Sequence, residues 1–185
     1  MFNDLFIEKV YNNKMKKAIH FAILFIILVP KVSFSLQSWP SYKVNAKLTN
    51  KGRLHIQEHH SILLDGREFS IEITFPLKKN QQITNFSLYK YDVVKNIKTL
   101  IPQSKDPRKN TYNFEKGKIL RWYLIPPNGK YFENNVLNFI INYEITNILE
   151  KKEDHYILSH ELGMKNRAGE IKSFNLSVEI PKTWS

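Results

Sequence analysis

Tyr42-Lys-Val-Asn-Ala-Lys-Leu48, Thr49-Asn-Lys-Gly52 and Arg53-Leu-His-Ile-Gln-Glu-His-His-Ser-Ile-Leu-Leu-Asp-Gly66 form the run whose reading decides the fold. In its first part apolar and polar residues alternate, as they do on a half-buried strand. Thr49 to Gly52 spells a turn, with Gly52 free to take a positive φ. Leu54, Ile56, Ile62 and Leu64 carry a second strand, and Asp65-Gly66 between apolar runs signals a hairpin.

Outward from this run the same grammar repeats. Phe69-Ser-Ile-Glu-Ile-Thr-Phe75 alternates until Pro76 stops it. Ile83–Tyr91 reads as a strand and Val93–Ile97 as a short one. Ile101–Asn110 is polar and carries prolines, so it reads as a mobile loop. Tyr112 and Phe114 lead through a Lys116-Gly117 turn into Ile119–Ile125, and Pro126-Pro-Asn-Gly129 breaks the chain. Val136–Ile148 is rich in β-branched and aromatic residues, a strand composition. Glu150–Asp154 reads as a charged loop, Tyr156 and Leu158 as a short strand, and Gly163–Gly169 as a turn. Ile171–Ile180 supplies the last strand before Pro181. With no amphipathic helix and no internal repeat, the expected fold is all-β: an antiparallel Ig-like β-sandwich of roughly nine strands.

Upstream, Lys16 and Lys17 precede an apolar run from Ala18 to Val29 that only His20 interrupts; Pro30, Ser33 and Ser35 follow. Basic, apolar and small residues in that order make a hydrophobic signal helix. Twelve helical residues reach about 18 Å, short of a hydrocarbon core of about 30 Å. Residues 1–35 are therefore read as an extension plus signal peptide, cut after Ser35 or kept as an anchor through residues 18–30. Met15 is an alternative start. Residues 36–185 then form one exported domain, periplasmic or otherwise extracytoplasmic.

The chain carries 28 Lys and Arg against 17 Asp and Glu, a net of +11. Without residues 1–35, which hold five lysines and two acids, the balance is 23 to 15, a net of +8. An anionic polymer or a lipid surface suits such a charge. No block of like charge or Arg-rich stretch suggests a groove binder, so nucleic acid is not expected. Cysteine is absent, which removes disulfides, thiolate chemistry and zinc–cysteine clusters.

The words Asn50-Lys-Gly-Arg-Leu-His-Ile-Gln-Glu58, Tyr143-Glu-Ile145 and Phe174-Asn-Leu-Ser-Val-Glu-Ile-Pro181 resemble the family filed as domain of unknown function 2207, over about residues 40–183. The resemblance implies a signal segment, an extracytoplasmic β-domain and then membrane helices, and it brings no catalytic residues. The chain departs from the family pattern at Glu72-Ile-Thr-Phe-Pro76, where Arg-x-Ile-Pro is expected, and has no tryptophan between Gly163 and Gly169.

His55-Ile-Gln-Glu58-His59 spells H-x-x-E-H, a zinc-peptidase word that needs both histidines on one helical face. On a strand, His55 and His59 stand about 13 Å apart, so the word reads as outward-facing strand histidines and only weakly as a metal or zinc-hydrolase site. Glu58 falls in phase with Leu54 and Ile56. Pointing inward, it calls for a partner, with Arg67 and Arg121 the structural candidates; a bulge at His59-His60 would instead turn it outward. His155 and His160-Glu161 are a remoter metal option. Asn85-Phe-Ser87 and Asn175-Leu-Ser177 are sequons by letter. Trp39, Trp122 and Trp184 read as core or edge residues, or else as a carbohydrate-stacking platform. No catalytic residue, cofactor or resident metal is expected. The reading is a non-catalytic envelope interaction or structural module with an unidentified envelope or membrane partner, recognised through strand edges and loops. The rival is a soluble binder of an anionic polymer or glycan.

Overall fold

The computed structural model describes residues 36–66, 70–105, 110–126, 129–153, 155–158, 160 and 169–182. The signal segment, its cleavage point and the anchor expected at residues 18–30 lie outside them, as does Arg67. Among the described residues no helix is long and apolar enough to cross a membrane.

Eleven strands follow one another: β1 (Leu36–Leu48), β2 (Leu54–Gly66), β3 (Ser70–Thr74), β4 (Gln82–Asp92), β5 (Ile97–Ile101), β6 (Tyr112–Glu115), β7 (Ile119–Tyr123), β8 (Phe132–Thr146), β9 (Leu149–Lys152), β10 (His155–Leu158) and β11 (Phe174–Glu179). They form a six-stranded sheet in the order β11-β1-β2-β8-β4-β5, a three-stranded sheet β3-β7-β6 and a ribbon β10-β9. The all-β expectation holds. Its wholly antiparallel form does not, because β11 runs parallel to β1, with Tyr42 opposite Phe174 and Lys47 opposite Glu179.

Two local expectations are also corrected. Val93–Asn96 is a turn rather than a strand: the Asp92 carboxylate accepts from Lys95 N–H at 3.0 Å and Asn96 takes φ 54°, the local chemistry by which Asp and Asn favour turns. The strand starts at Ile97. Glu150–Lys152, read as loop, is strand β9, paired with β10; both strands are largely exposed, so charge does not exclude pairing there. The stretch after Ile101 is tied down at its described start, where Tyr112 N–H donates to Pro102 C=O at 3.0 Å and Ser104 N–H to Tyr112 C=O at 2.8 Å.

Alternating apolar residues of β1, β2 and β8 face one core with Ile71, Ile73, Leu120 and Trp122 of the three-stranded sheet. Trp122 meets Phe139 edge-on at 5.7 Å, and Phe75 meets Tyr143 at 5.0 Å. Trp39 and Trp122 are fully buried, so they pack the core and offer no sugar platform; Trp184 lies outside the described residues. A fully buried side chain of this class stabilises by about 1.5–3 kcal/mol, which is how a domain without disulfides is held.

Gly169 fixes the approach to β11. Its φ is +86°, and a Cβ there would stand 1.9 Å from the Gln37 carbonyl oxygen. Trp39 N–H donates to Glu170 C=O at 2.7 Å, and Lys172 N–H to Trp39 C=O at 2.9 Å. Only a residue without a side chain lets the backbones come so close.

Candidate functional site

Strand β2 organises both polar regions of the molecule. Its burial alternates without interruption from Leu54 to Leu64, so the bulge considered at His59-His60 does not form. Register breaks fall instead at Ser38/Ser41, Leu64/Gly66 and Thr84/Ser87. Glu58 and His60 therefore share the inner face with Leu54, Ile56 and Ile62, while His55, Gln57 and His59 share the outer one.

On the inner face Glu58 is buried, 2% exposed, and His60 is 1% exposed. One carboxylate oxygen lies 2.9 Å from His60 Nε2, and the other accepts from the Tyr143 hydroxyl at 2.5 Å. Tyr42 stacks on the imidazole at 4.9 Å and Trp39 meets it edge-on at 5.3 Å. His60 Nδ1 has no hydrogen-bond partner among the described residues. Burial, and then the Glu58 carboxylate beside it, push the Tyr143 phenol well above its ordinary range, so the hydroxyl keeps its proton and stays a donor.

Of the two arginines expected near Glu58, Arg67 lies outside the described residues and Arg121 is engaged elsewhere. Arg121 belongs to the three-stranded sheet, where it bridges Glu72 and Glu115. The hydrogen bond to Glu72 leads in raising its guanidinium above the usual value.

The outer face is polar and ordered in rows across the strands. Register aligns Ser177, Asn45, Gln57, Asn142 and Ser87, one from each of five neighbouring strands. Gln57 Nε2 donates to Asn142 Oδ1 at 2.9 Å, Asn142 Nδ2 to Ser87 Oγ at 3.3 Å, and Gln57 Oε1 lies 2.9 Å from His59 Nε2. The adjoining row is charged in pairs: Lys47 with Glu179 at 2.6 Å, and His55 with Glu144 at 2.9 Å. Arg53 also reaches Glu144, at 3.4 Å. Burial works to raise the Glu144 carboxyl, but hydrogen bonds from Asn85 and Arg53 and the nearby His55 together hold it below its ordinary value. Burial first, then Lys98, Lys43 and His60, lower His59.

An open groove of about 630 Å³ follows these two rows, lined by Asn45, His55, Gln57, Asn85, Asn142 and Ser177. The bulge in β4 puts Asn85 at φ 52°. A bulge re-aims a side chain, and here it brings the Asn85 amide to Glu144 at the groove.

His55 and His59 both lie on the outer face with different partners, Glu144 and Gln57, while Glu58 points the other way. The H-x-x-E-H word is thereby split between two faces of a sheet. Among the described residues no three His, Asp or Glu side chains gather where a metal could sit. The roles of His60 and Tyr143 are not in the sequence reading. His60 was within reach of it, because residues two apart on a strand share a face; Tyr143 needed the β2–β8 register.

A crystal structure provisionally described as a protease from Parabacteroides distasonis is similar over 80% of this chain and 29% of its own, at 10% identity and a TM-score of 0.37. A likeness that slight carries no argument. This chain spans less than a third of that protein's length. No curated protein matches. The family model described as predicted membrane protein (DUF2207), N-terminal domain, matches residues 38–185.

Proposed function

The chain belongs to the family of domain of unknown function 2207, whose members are described as predicted membrane proteins, and from that premise we propose that residues 36–185 form a non-catalytic Ig-like β-sandwich on the extracytoplasmic side of a membrane. In this reading the domain engages a partner polypeptide by strand addition along β11. The single observation that carries it is the state of that strand. All six residues of β11 are exposed, and β11 forms one edge of the six-stranded sheet. Phe174, Leu176 and Val178 lie opposite Tyr42, Val44 and Ala46 of the core face, yet stand 50%, 43% and 43% exposed. An edge strand with an apolar row on one side is the arrangement that extended segments dock on, main chain for affinity and alternate side chains for selectivity.

The test is a photo-crosslinking amino acid at Leu176, with the same group at Lys51 in the β1–β2 turn as control, in intact cells followed by membrane fractionation. The reading expects a discrete polypeptide adduct in the membrane fraction from position 176 and none from position 51. Equal labelling at the two positions, or none at 176, removes it. Protease added to spheroplasts should degrade the domain; full protection would place it on the wrong side.

A further inference from the structure

Strand addition at β11 leaves the outer face of the six-stranded sheet without a use. Its central row, Ser177–Asn45–Gln57–Asn142–Ser87, consists wholly of uncharged amides and hydroxyls. We infer that this row and the groove above it bind an uncharged, hydroxyl-rich glycan chain laid across the strands.

The first support is the match of groups. Each sugar hydroxyl both donates and accepts, and each amide offers both an NH₂ and a C=O. A row of three amides and two hydroxyls can satisfy several sugar hydroxyls in succession. Second, the row is set before any ligand arrives. The Gln57–Asn142–Ser87 chain of hydrogen bonds, with His59 against Gln57, holds three of its five side chains in place, which lowers the ordering cost of binding. Third, Asn85 in the β4 bulge adds an amide at the groove. A volume of about 630 Å³ falls inside the range of small-ligand sites, about 300–1,000 Å³.

Charge decides which glycan. Lys47 at the groove is paired with Glu179, and Glu144 is shared by His55 and Arg53. Lys47, the lysine that lines the groove, is thus already paired, and Lys43 and Lys98, which stand near His59, lie outside the groove's lining. A polyanion would have to displace those carboxylates, whereas a neutral sugar leaves every pair intact. A peptide has no use for this face either, since the backbone of central strands is consumed by the sheet. The anionic polymer favoured by net charge alone is not what this surface is built for.

The experiment uses the full chain in detergent micelles, titrated with cellohexaose, maltohexaose, chitohexaose and, as the acidic control, polygalacturonate, by calorimetry. The expected result is saturable binding of at least one neutral hexasaccharide, unchanged at about 0.5 M salt, where exposed charges are screened. Gln57→Ala and Asn142→Ala should each weaken it by about tenfold or more, as lost hydrogen bonds in a polar site do, with far-ultraviolet dichroism and unfolding midpoint confirming that both variants fold. Gln57→Glu, which keeps the shape and adds a charge, should also weaken it. Failure of every neutral probe overturns the inference. So does binding of polygalacturonate alone that vanishes with salt, or neutral binding untouched by all three substitutions. None of these variants alters β11, so the outcome is independent of the crosslinking result.

Discussion

Glu58 and His60, two residues apart on β2, meet at 2.9 Å on the buried face of the sheet. The pair is closed with a third group, since Tyr143 donates to the other carboxylate oxygen. The arrangement resolves the problem posed by a carboxylate in phase with the core: burial without partners costs several kcal/mol, and each charge-assisted hydrogen bond returns about 1.5–3 kcal/mol.

Glu58→Leu leaves a buried imidazole N–H and a buried phenol unpaired. It should destabilise by about 2–5 kcal/mol, whereas Glu58→Leu/His60→Leu/Tyr143→Phe, which removes all the polar groups together, should recover most of that loss. Urea unfolding with an unchanged slope measures both. A triple variant no more stable than the single one would show that packing, rather than polar satisfaction, governs the site.

His59 gives the fold an acid dependence of definite sign. Its folded-state pKa is lowered from 6.5 by burial and by Lys98, Lys43 and His60. The folded protein thus resists protonation more than the unfolded chain does, so stability is full above the unfolded value and falls as pH drops below about 6.5 toward the folded one. His59→Gln should flatten the curve of unfolding free energy in that window. An identical slope in the variant would assign the acid sensitivity elsewhere.

Glu144 acts lower on the scale. Its carboxyl is held below 4.5, so its contribution is present above that value and is lost as pH falls through the lower folded value. Glu144→Gln should reduce stability at neutral pH and remove that share of the loss near pH 4. Urea midpoints of both proteins at pH 7 and near pH 3 would measure it, and equal differences at the two would contradict it.

Arg121 bridges two carboxylates near the surface of the three-stranded sheet, with its side chain 31% exposed. Solvent screens such a network, and Arg121→Met should cost about 1 kcal/mol or less, shrinking with added salt. A loss as large as that of Glu58→Leu would mean that the bridge sets the β3-β7-β6 register.

Gly169→Ala places a methyl group against the Gln37 carbonyl at a left-handed φ. It should destabilise by about 2 kcal/mol or more. Hydrogen exchange should localise the damage to β11 and the start of β1. Uniform loss of protection would make the closing strand inseparable from the rest.

Strand positions were legible in the sequence because period-two burial is written into β1 from Ser41 to Leu48, β2 and β3 residue by residue, and because β8 is rich in β-branched and aromatic residues. Direction was not: Phe174, Leu176 and Val178 alternate identically whether β11 runs with β1 or against it. Strong turn chemistry at Asp92 and Asn96 displaced the short strand expected at Val93–Ile97, and exposure made a strand of the charged Glu150–Lys152. At the candidate sites, Glu58 could be placed on the inner face from its phase alone. Of its partners, His60 shares that phase two residues on, but Tyr143 depended on pairing between segments 85 residues apart, a distance across which alternation says nothing. The neutral row on the outer face is illegible for the same reason, since Asn45, Gln57 and Asn142 line up only once the registers are known.

The parallel closure of β1 and β11 has a mechanical consequence. Chain enters the domain at the Leu36 end of β1 and leaves at the Glu179 end of β11, beside Lys47. Tension between those points pulls the two strands past each other lengthwise, so that the rungs from Trp39–Ile171 to Lys47–Glu179 must give way together instead of unzipping one by one. Single-molecule stretching from residues 36 and 180 should meet one abrupt rupture at high force, and the domain would serve as a stiff tether under strain.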